Sequence, residues 1–141
     1  MNTNDLQTIL KNFRLKVTPA RVSILSACVH ASSPQTVAEV AIAVGNHIHL
    51  STIYRTLESF VELGILTRID FQEGYFRYEY VHDHHHHIVC ESCGKISEIQ
   101  DESLESLANK LSEKAGFTLL KHNIELFGHC HKCQKKGLHA I

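Results

Sequence analysis

Apolar residues fall at positions 6, 9, 10 and 13 of the segment Asp5-Leu-Gln-Thr-Ile-Leu-Lys-Asn-Phe13, the spacing of one face of a helix. A second helix is predicted where Thr18 can cap and Pro19 can take the first helical position, with Val22, Ile24, Leu25 and Cys28 following. A third, short helix runs from about residue 36 to residue 44 and is ended by Gly45. A fourth is expected over residues 52–63, capped by Ser51 and stopped by Gly64, with Ile53, Leu57, Phe60 and Val61 on one face. Residues 65–70 and 75–80 read as two strands joined by a turn at Glu73-Gly74. Helices followed by a two-stranded ribbon form the outline of a winged helix-turn-helix.

Near residue 80 the pattern changes. Short strands are expected at residues 87–91 and 95–99, around Cys90-Glu-Ser-Cys93. Leu104, Leu107, Ala108 and Leu111 predict a helix over residues 103–115. A long strand over residues 117–127 then leads into Cys130-His-Lys-Cys133. The expected fold class is therefore α/β of the α+β kind. A winged helix-turn-helix over residues 1–80 precedes a small α/β domain over residues 84–141, and the absence of a Pro/Gly/Ser-rich linker implies a short connection.

A length of 141 residues with 43% hydrophobic content bounds the chain to one or two compact domains. No run approaches the roughly 20 apolar residues of a membrane-spanning helix. The polar first ten residues, with Asp5 among them, do not read as a secretory signal, so a cytoplasmic location is expected. The net charge of −1 advertises no nucleic-acid binder. However, all five arginines (Arg14, Arg21, Arg55, Arg68 and Arg77) lie before residue 80, which leaves room for a local basic patch. What changes the picture is the presence of 12 His and 5 Cys, which makes metal chemistry the first hypothesis.

Cys90-x-x-Cys93 and Cys130-x-x-Cys133 have the pairing of a tetrahedral tetrathiolate zinc site, each knuckle supplying two soft ligands. Because the pairs are far apart in sequence, the metal must tie distant parts of one domain together, a structural role. Two disulfides or redox dithiols are the alternative, disfavoured by the paired spacing and by the expected compartment. Cys28 lies on an apolar helix face and reads as core.

The run His84-His-His-His87 enters a predicted strand, where side chains alternate between faces. His85 and His87 therefore point one way, His84 and His86 the other, and one segment can serve two sites. If the hairpin folds about the Cys90–Cys93 knuckle, Glu98 falls opposite His87, and Glu79 lies just upstream. Glu79, His85, His87 and Glu98 would make a nitrogen/oxygen site touching both halves of the protein, suited to Fe(II), Mn(II) or Zn(II). Glu105 and His122 are reasonable partners for His84 and His86. A solvated His-rich loop that binds metal nonspecifically is the competing reading.

With these residues assembled, the chain resembles the ferric uptake regulator superfamily of bacterial metal-dependent repressors over about residues 8–136. The resemblance rests on Leu15-Lys-Val-Thr-Pro19 with Arg21, Ser51-Thr-Ile-Tyr-Arg-Thr-Leu57 and Glu62-Leu-Gly-Ile65. To these it adds the His-rich run into Ile88-Val-Cys-Glu-Ser-Cys-Gly-Lys95, and Gly128-His-Cys-His-Lys-Cys133. It implies an N-terminal winged helix, a C-terminal dimerisation domain, a structural zinc on Cys90, Cys93, Cys130 and Cys133, and a regulatory metal on Glu79, His85, His87 and Glu98. It also implies an additional site on His84, His86, Glu105 and His122. Tyr54 and Arg55 match contacts of the recognition helix to DNA, Lys16 matches a basic residue that approaches the minor groove, and Arg21, Ser51 and Thr52 complete the candidate DNA-contact set.

Three departures are visible. Where the family supplies one more regulatory His, this chain has Pro34, with His30 the nearest candidate, either a substitute ligand or a surface His. Glu98 stands where peroxide-sensing members carry Asp, and the wing lacks the Cys typical of zinc-sensing members. The function implied is a homodimeric transcriptional repressor of palindromic operator DNA, with Fe(II), Mn(II) or Zn(II) as corepressor. Peroxide or zinc sensing within the same superfamily is the alternative. A His/Glu metallohydrolase lacks an HExxH or HxE…PCxxC signature and would leave the winged helix unexplained, and a metal-storage or chaperone protein using the His run would show high-capacity metal binding without operator recognition.

Overall fold

The computed structural model describes residues 1–81 and 84–135. The chain divides into two compact units, Met1–His82 and Asp83–Ile141. His82, Asp83 and residues 136–141, including His139, lie outside the described residues.

The first unit contains α1 (Thr3–Asn12), α2 (Pro19–Val29), α3 (Val37–Ala43), α4 (Leu50–Glu62), β1 (Leu66–Asp70) and β2 (Phe76–Tyr80). Local chemistry sets the helix starts. Asn2 with Asp5 and Thr36 with Glu39 form reciprocal capping boxes, while the Thr18 hydroxyl accepts from the Arg21 N–H with Pro19 at the first position. The expected Ser51 cap is corrected: α4 begins earlier, with His49 at the N-cap and no side-chain cap. The His49 carbonyl already accepts from the N–H groups of Thr52 and Ile53, which places Ser51 inside the first turn. Gly64 ends the helix as expected, at φ +82°, a conformation that costs glycine little.

The core is built from Leu6, Leu10, Ile24, Leu25, Val40, Ile53, Leu57 and Phe60, closed by Ile65, Leu66 and Tyr78 from the ribbon. Cys28 is buried there as expected. Strands β1 and β2 pair antiparallel from Leu66↔Tyr80 to Asp70↔Phe76. A further bridge, Gln35↔Tyr78, pins the ribbon to the segment between α2 and α3.

The second unit contains β3 (His86–Cys90), β4 (Ile96–Ile99), α5 (Glu102–Lys114), β5 (Glu125–Gly128) and α6 (His131–Lys135). The sheet order is β4-β3-β5, with β3 antiparallel to β4 and parallel to β5. The long strand expected over residues 117–127 is only Glu125–Gly128. A strand needs a partner for its backbone groups, and five-residue β3 pairs with just these four residues, so the preceding segment stays irregular. Helix α5 forms where the apolar spacing places it, capped by Asp101, yet none of its residues is buried. Its stripe residues Leu107 and Leu111 are more than half exposed.

Candidate metal centres and helix surface

The hairpin from β3 to β4 carries Cys90 and Cys93, and the turn after β5 and α6 bring Cys130 and Cys133 against them. The four Sγ atoms lie within 4.8 Å of one another. A zinc–sulfur bond of about 2.3 Å in a tetrahedron places sulfurs about 3.8 Å apart. Cys93 and Cys130 Sγ are 3.6 Å apart, which fits that spacing and is far from the roughly 2.05 Å of a disulfide. All five cysteines are free thiols, so the structure sides against the disulfide alternative.

The cradle already stabilises thiolate. Backbone N–H groups of Cys130 and Cys93 point at Cys90 Sγ at 3.3 and 3.5 Å and push its pKa down to about 5. The N–H of Cys133 likewise lowers Cys130. Burial pushes Cys133 up to about 12, so a bound dication must displace its proton. A zinc ion held there would supply the positive charge that lets four thiolates share one pocket.

The second cluster is gathered by the start of β3 and the first turn of α5. Glu105 is its hub: Oε1 lies 2.5 Å from His86 Nε2 and 2.9 Å from His84 Nε2, and Oε2 lies 2.6 Å from His122 Nε2. His84 and His122 Nε2 approach to 3.1 Å. Burial works against ionisation of Glu105, but the bond from His86 and the fields of His122 and His84 hold its carboxyl low. His122 belongs to this group although it stands outside any strand. Three imidazoles and one carboxylate with ligand atoms within 4.8 Å form a nitrogen-rich set for a divalent metal.

On the opposite side of the same segment, His85 and His87 stack edge to face with ring centroids 4.9 Å apart. His87 is the direct register partner of Glu98, and His85 Nε2 lies 3.8 Å from Glu98 Oε1. The alternation read from sequence thus sorts the four histidines into two sets. Glu79 lies in the first unit, on β2 opposite Thr67. His30 caps the C-terminus of α2, its Nδ1 against the Ser26 carbonyl and its Nε2 3.0 Å from the Met1 carbonyl. It joins none of the metal-ligand clusters among the described residues. Pro34 is fully buried.

In the first unit, α4 exposes Ser51, Tyr54 and Arg55, with Thr52 half-buried between them. Arg55 Nε donates to the Ser51 carbonyl at 3.4 Å, which lays the side chain back along the helix. Lys16 is exposed between α1 and α2. Arg21 Nη1 donates to the Lys16 carbonyl at 2.7 Å, so its head group holds that segment in place. Sequence reasoning missed the polar lattice behind α4, where Glu58 accepts from Tyr78 and Arg68. The only signal for it was Tyr78 on the inward phase of β2.

A winged-helix unit with an exposed Tyr-Arg pair, joined to a unit with assembled metal-ligand clusters, is the layout of a metal-responsive transcription regulator. The Ferric uptake regulator family profile matches residues 12–127, and the chain belongs to that family. It is 39% identical over 132 residues to the ferric uptake regulation protein of Yersinia pestis, covering 89% of this chain and 88% of that one. Its fold is similar to the ferric uptake regulator of Vibrio cholerae, at 32% identity and TM-score 0.74 over 87% of this chain and 98% of that one. The regulator of Francisella tularensis solved with iron is similar at 27% identity and TM-score 0.74, over 85% and 95%. Members of this family are transcription regulators rather than enzymes.

Proposed function

We propose that this chain is a homodimeric repressor that binds a palindromic operator when Fe(II), Mn(II) or Zn(II) occupies Glu79, His85, His87 and Glu98. The observation that carries the reading is the pairing of His87 with Glu98, beside His85, at the strand that follows the winged-helix unit. Glu79 comes from that unit, so an ion shared by all four residues would restrain one unit against the other. Binding the DNA-competent arrangement more tightly shifts the population toward it, and DNA reciprocally tightens metal binding. A coupling of about 1–3 kcal/mol suffices.

Several features support the rest. The Vibrio cholerae regulator has DNA-binding domains that undergo structural rearrangement, and the Francisella tularensis protein was solved with iron. Tyr54 and Arg55 are exposed on α4, where a recognition helix would present them to the major groove, with Ser51, Thr52, Lys16 and Arg21 nearby in role. The uncovered Leu107, Leu111, Phe117 and Leu120 of the second unit are 53%, 56%, 70% and 93% exposed and suit a dimer interface. Cys90, Cys93, Cys130 and Cys133 hold a structural zinc, and His84, His86, Glu105 and His122 an additional metal. No described helix is long and apolar enough to cross a membrane, and a cytoplasmic setting suits a DNA-bound regulator.

Selection from a random-sequence duplex library with and without Mn(II) tests the reading. A two-fold symmetric sequence should be enriched only with metal, and enrichment of no sequence under either condition would refute it.

A further inference from the structure

Tyr78 is only 1% exposed and sits at a fixed point of the wing. Its N–H donates to the Gln35 carbonyl at 2.7 Å, and its own carbonyl accepts from the Gln35 N–H at 2.9 Å. From that anchor its hydroxyl donates to Glu58 Oε2 on α4 at 3.1 Å. The other oxygen, Glu58 Oε1, accepts from Arg68 on β1 at 2.6 Å, and the Arg68 guanidinium lies over the Phe76 ring at 4.5 Å. Glu58 stands four residues after Tyr54 and three after Arg55, on the same stripe of the helix.

Between the start of α3, Tyr54 of α4 and the wing lies a cavity of about 980 Å³, lined among others by Thr36, Val37, Tyr54, Tyr75, Phe76 and Tyr78. Ile53, Leu57 and Phe60 of α4 share one buried core with Leu66 and Tyr78, and along the cavity edge Glu58 adds polar bonds to Tyr78 and Arg68 that apolar packing does not supply. We propose that Glu58 and Tyr78 form a strut that sets the roll of α4 against the wing, and so act as positioning residues for sequence-specific DNA recognition. The inference rests on the DNA-binding reading above. Contacts to base edges demand a defined helix orientation, whereas phosphate contacts tolerate small rotations. Loss of the strut should therefore cost specificity before it costs general affinity. A buried tyrosine that had merely found a partner for its hydroxyl would affect stability alone.

The test uses the full chain with Mn(II), the duplex that the wild type enriches from the random library, and a scrambled duplex of equal length. Tyr78→Phe should weaken binding to the enriched duplex by about five- to thirtyfold, the scale of one lost buried hydrogen bond. Affinity for the scrambled duplex and metal content should not change. Glu58→Gln keeps an acceptor for the Tyr78 hydroxyl and should stay within about twofold of wild type, because the half-exposed pair with Arg68 contributes little. Glu58→Ala should match Tyr78→Phe, and the double variant should be no weaker than either single one. Wild-type affinity in a folded Tyr78→Phe, or equal losses on both duplexes, overturns the strut. If the wild type enriches no sequence, the DNA-binding reading fails and takes the strut with it.

Discussion

His87 and Glu98 face each other as direct partners in the antiparallel β3–β4 register. The pairing places an imidazole and a carboxylate on one face of the sheet, with His85 Nε2 3.8 Å from the same carboxylate. Removing His87 takes away one ligand of that set without touching the cysteines. His87→Ala should therefore abolish metal-dependent DNA binding while one zinc per chain remains on the tetrathiolate. Metal analysis alongside operator titration checks both halves of this expectation.

Much of that site was legible from alternation alone, because four consecutive histidines entering a strand must divide between its two faces. The partners across space were harder. Glu98 followed from folding a hairpin about Cys90–Cys93, but the position of His122 was reached through a strand that does not extend that far. Sequence periodicity reports the preference of residues 117–124 for an extended form, and cannot report that β3 is too short to pair with them. The start of α4 was misplaced for a related reason: Ser51 is a good cap by type, yet the His49 carbonyl starts the helix without one. The Glu58–Tyr78 link had no sequence signal beyond the inward phase of Tyr78, since it joins a helix to a strand twenty residues away.

Glu105 touches three imidazoles, so its removal should dissolve the second cluster more completely than loss of any one histidine. Glu105→Ala should lower divalent-metal capacity by one equivalent per chain. Helix α5 should survive, because Glu105 is half-exposed and the cap at Asp101 is intact. Equilibrium dialysis against Zn(II) and far-UV circular dichroism read the two effects separately.

Among the described residues, the second unit buries only Val89, Cys90 and Cys133 as hydrophobic core. With so small a core, a metal on the four cysteines should carry much of the unit's stability. A strong chelator, or Cys93→Ser, should melt this unit selectively and leave the first unit folded. Amide exchange should show fast exchange confined to residues beyond 83. Cys28 provides an internal control: burial pushes its thiol up to about 12, so it stays protonated near pH 8 and should resist alkylation until the first unit unfolds.

The exposed stripe of α5 predicts its own effect. Leu111→Glu places a charge where a second copy would pack and should convert dimer to monomer in sedimentation experiments. Leu111 is exposed and no residue of α5 is fully buried within one chain, so helix content should not fall.

Arg55 is exposed on α4 and bonds only weakly to the Ser51 carbonyl, which leaves it available to DNA. Arg55→Ala should weaken operator binding by about 1–3 kcal/mol, the scale of one good base contact, with both metal content and melting temperature unchanged.

Metal at the histidine–carboxylate site should switch DNA affinity. The most direct test is a titration of the enriched palindromic duplex with zinc-loaded protein, in the absence and presence of added Mn(II) or anaerobic Fe(II). A gain of at least about tenfold, or ~1.4 kcal/mol, is predicted for the wild type and none for His87→Ala. Equal wild-type affinity with and without the added metals would mean that the site is no switch.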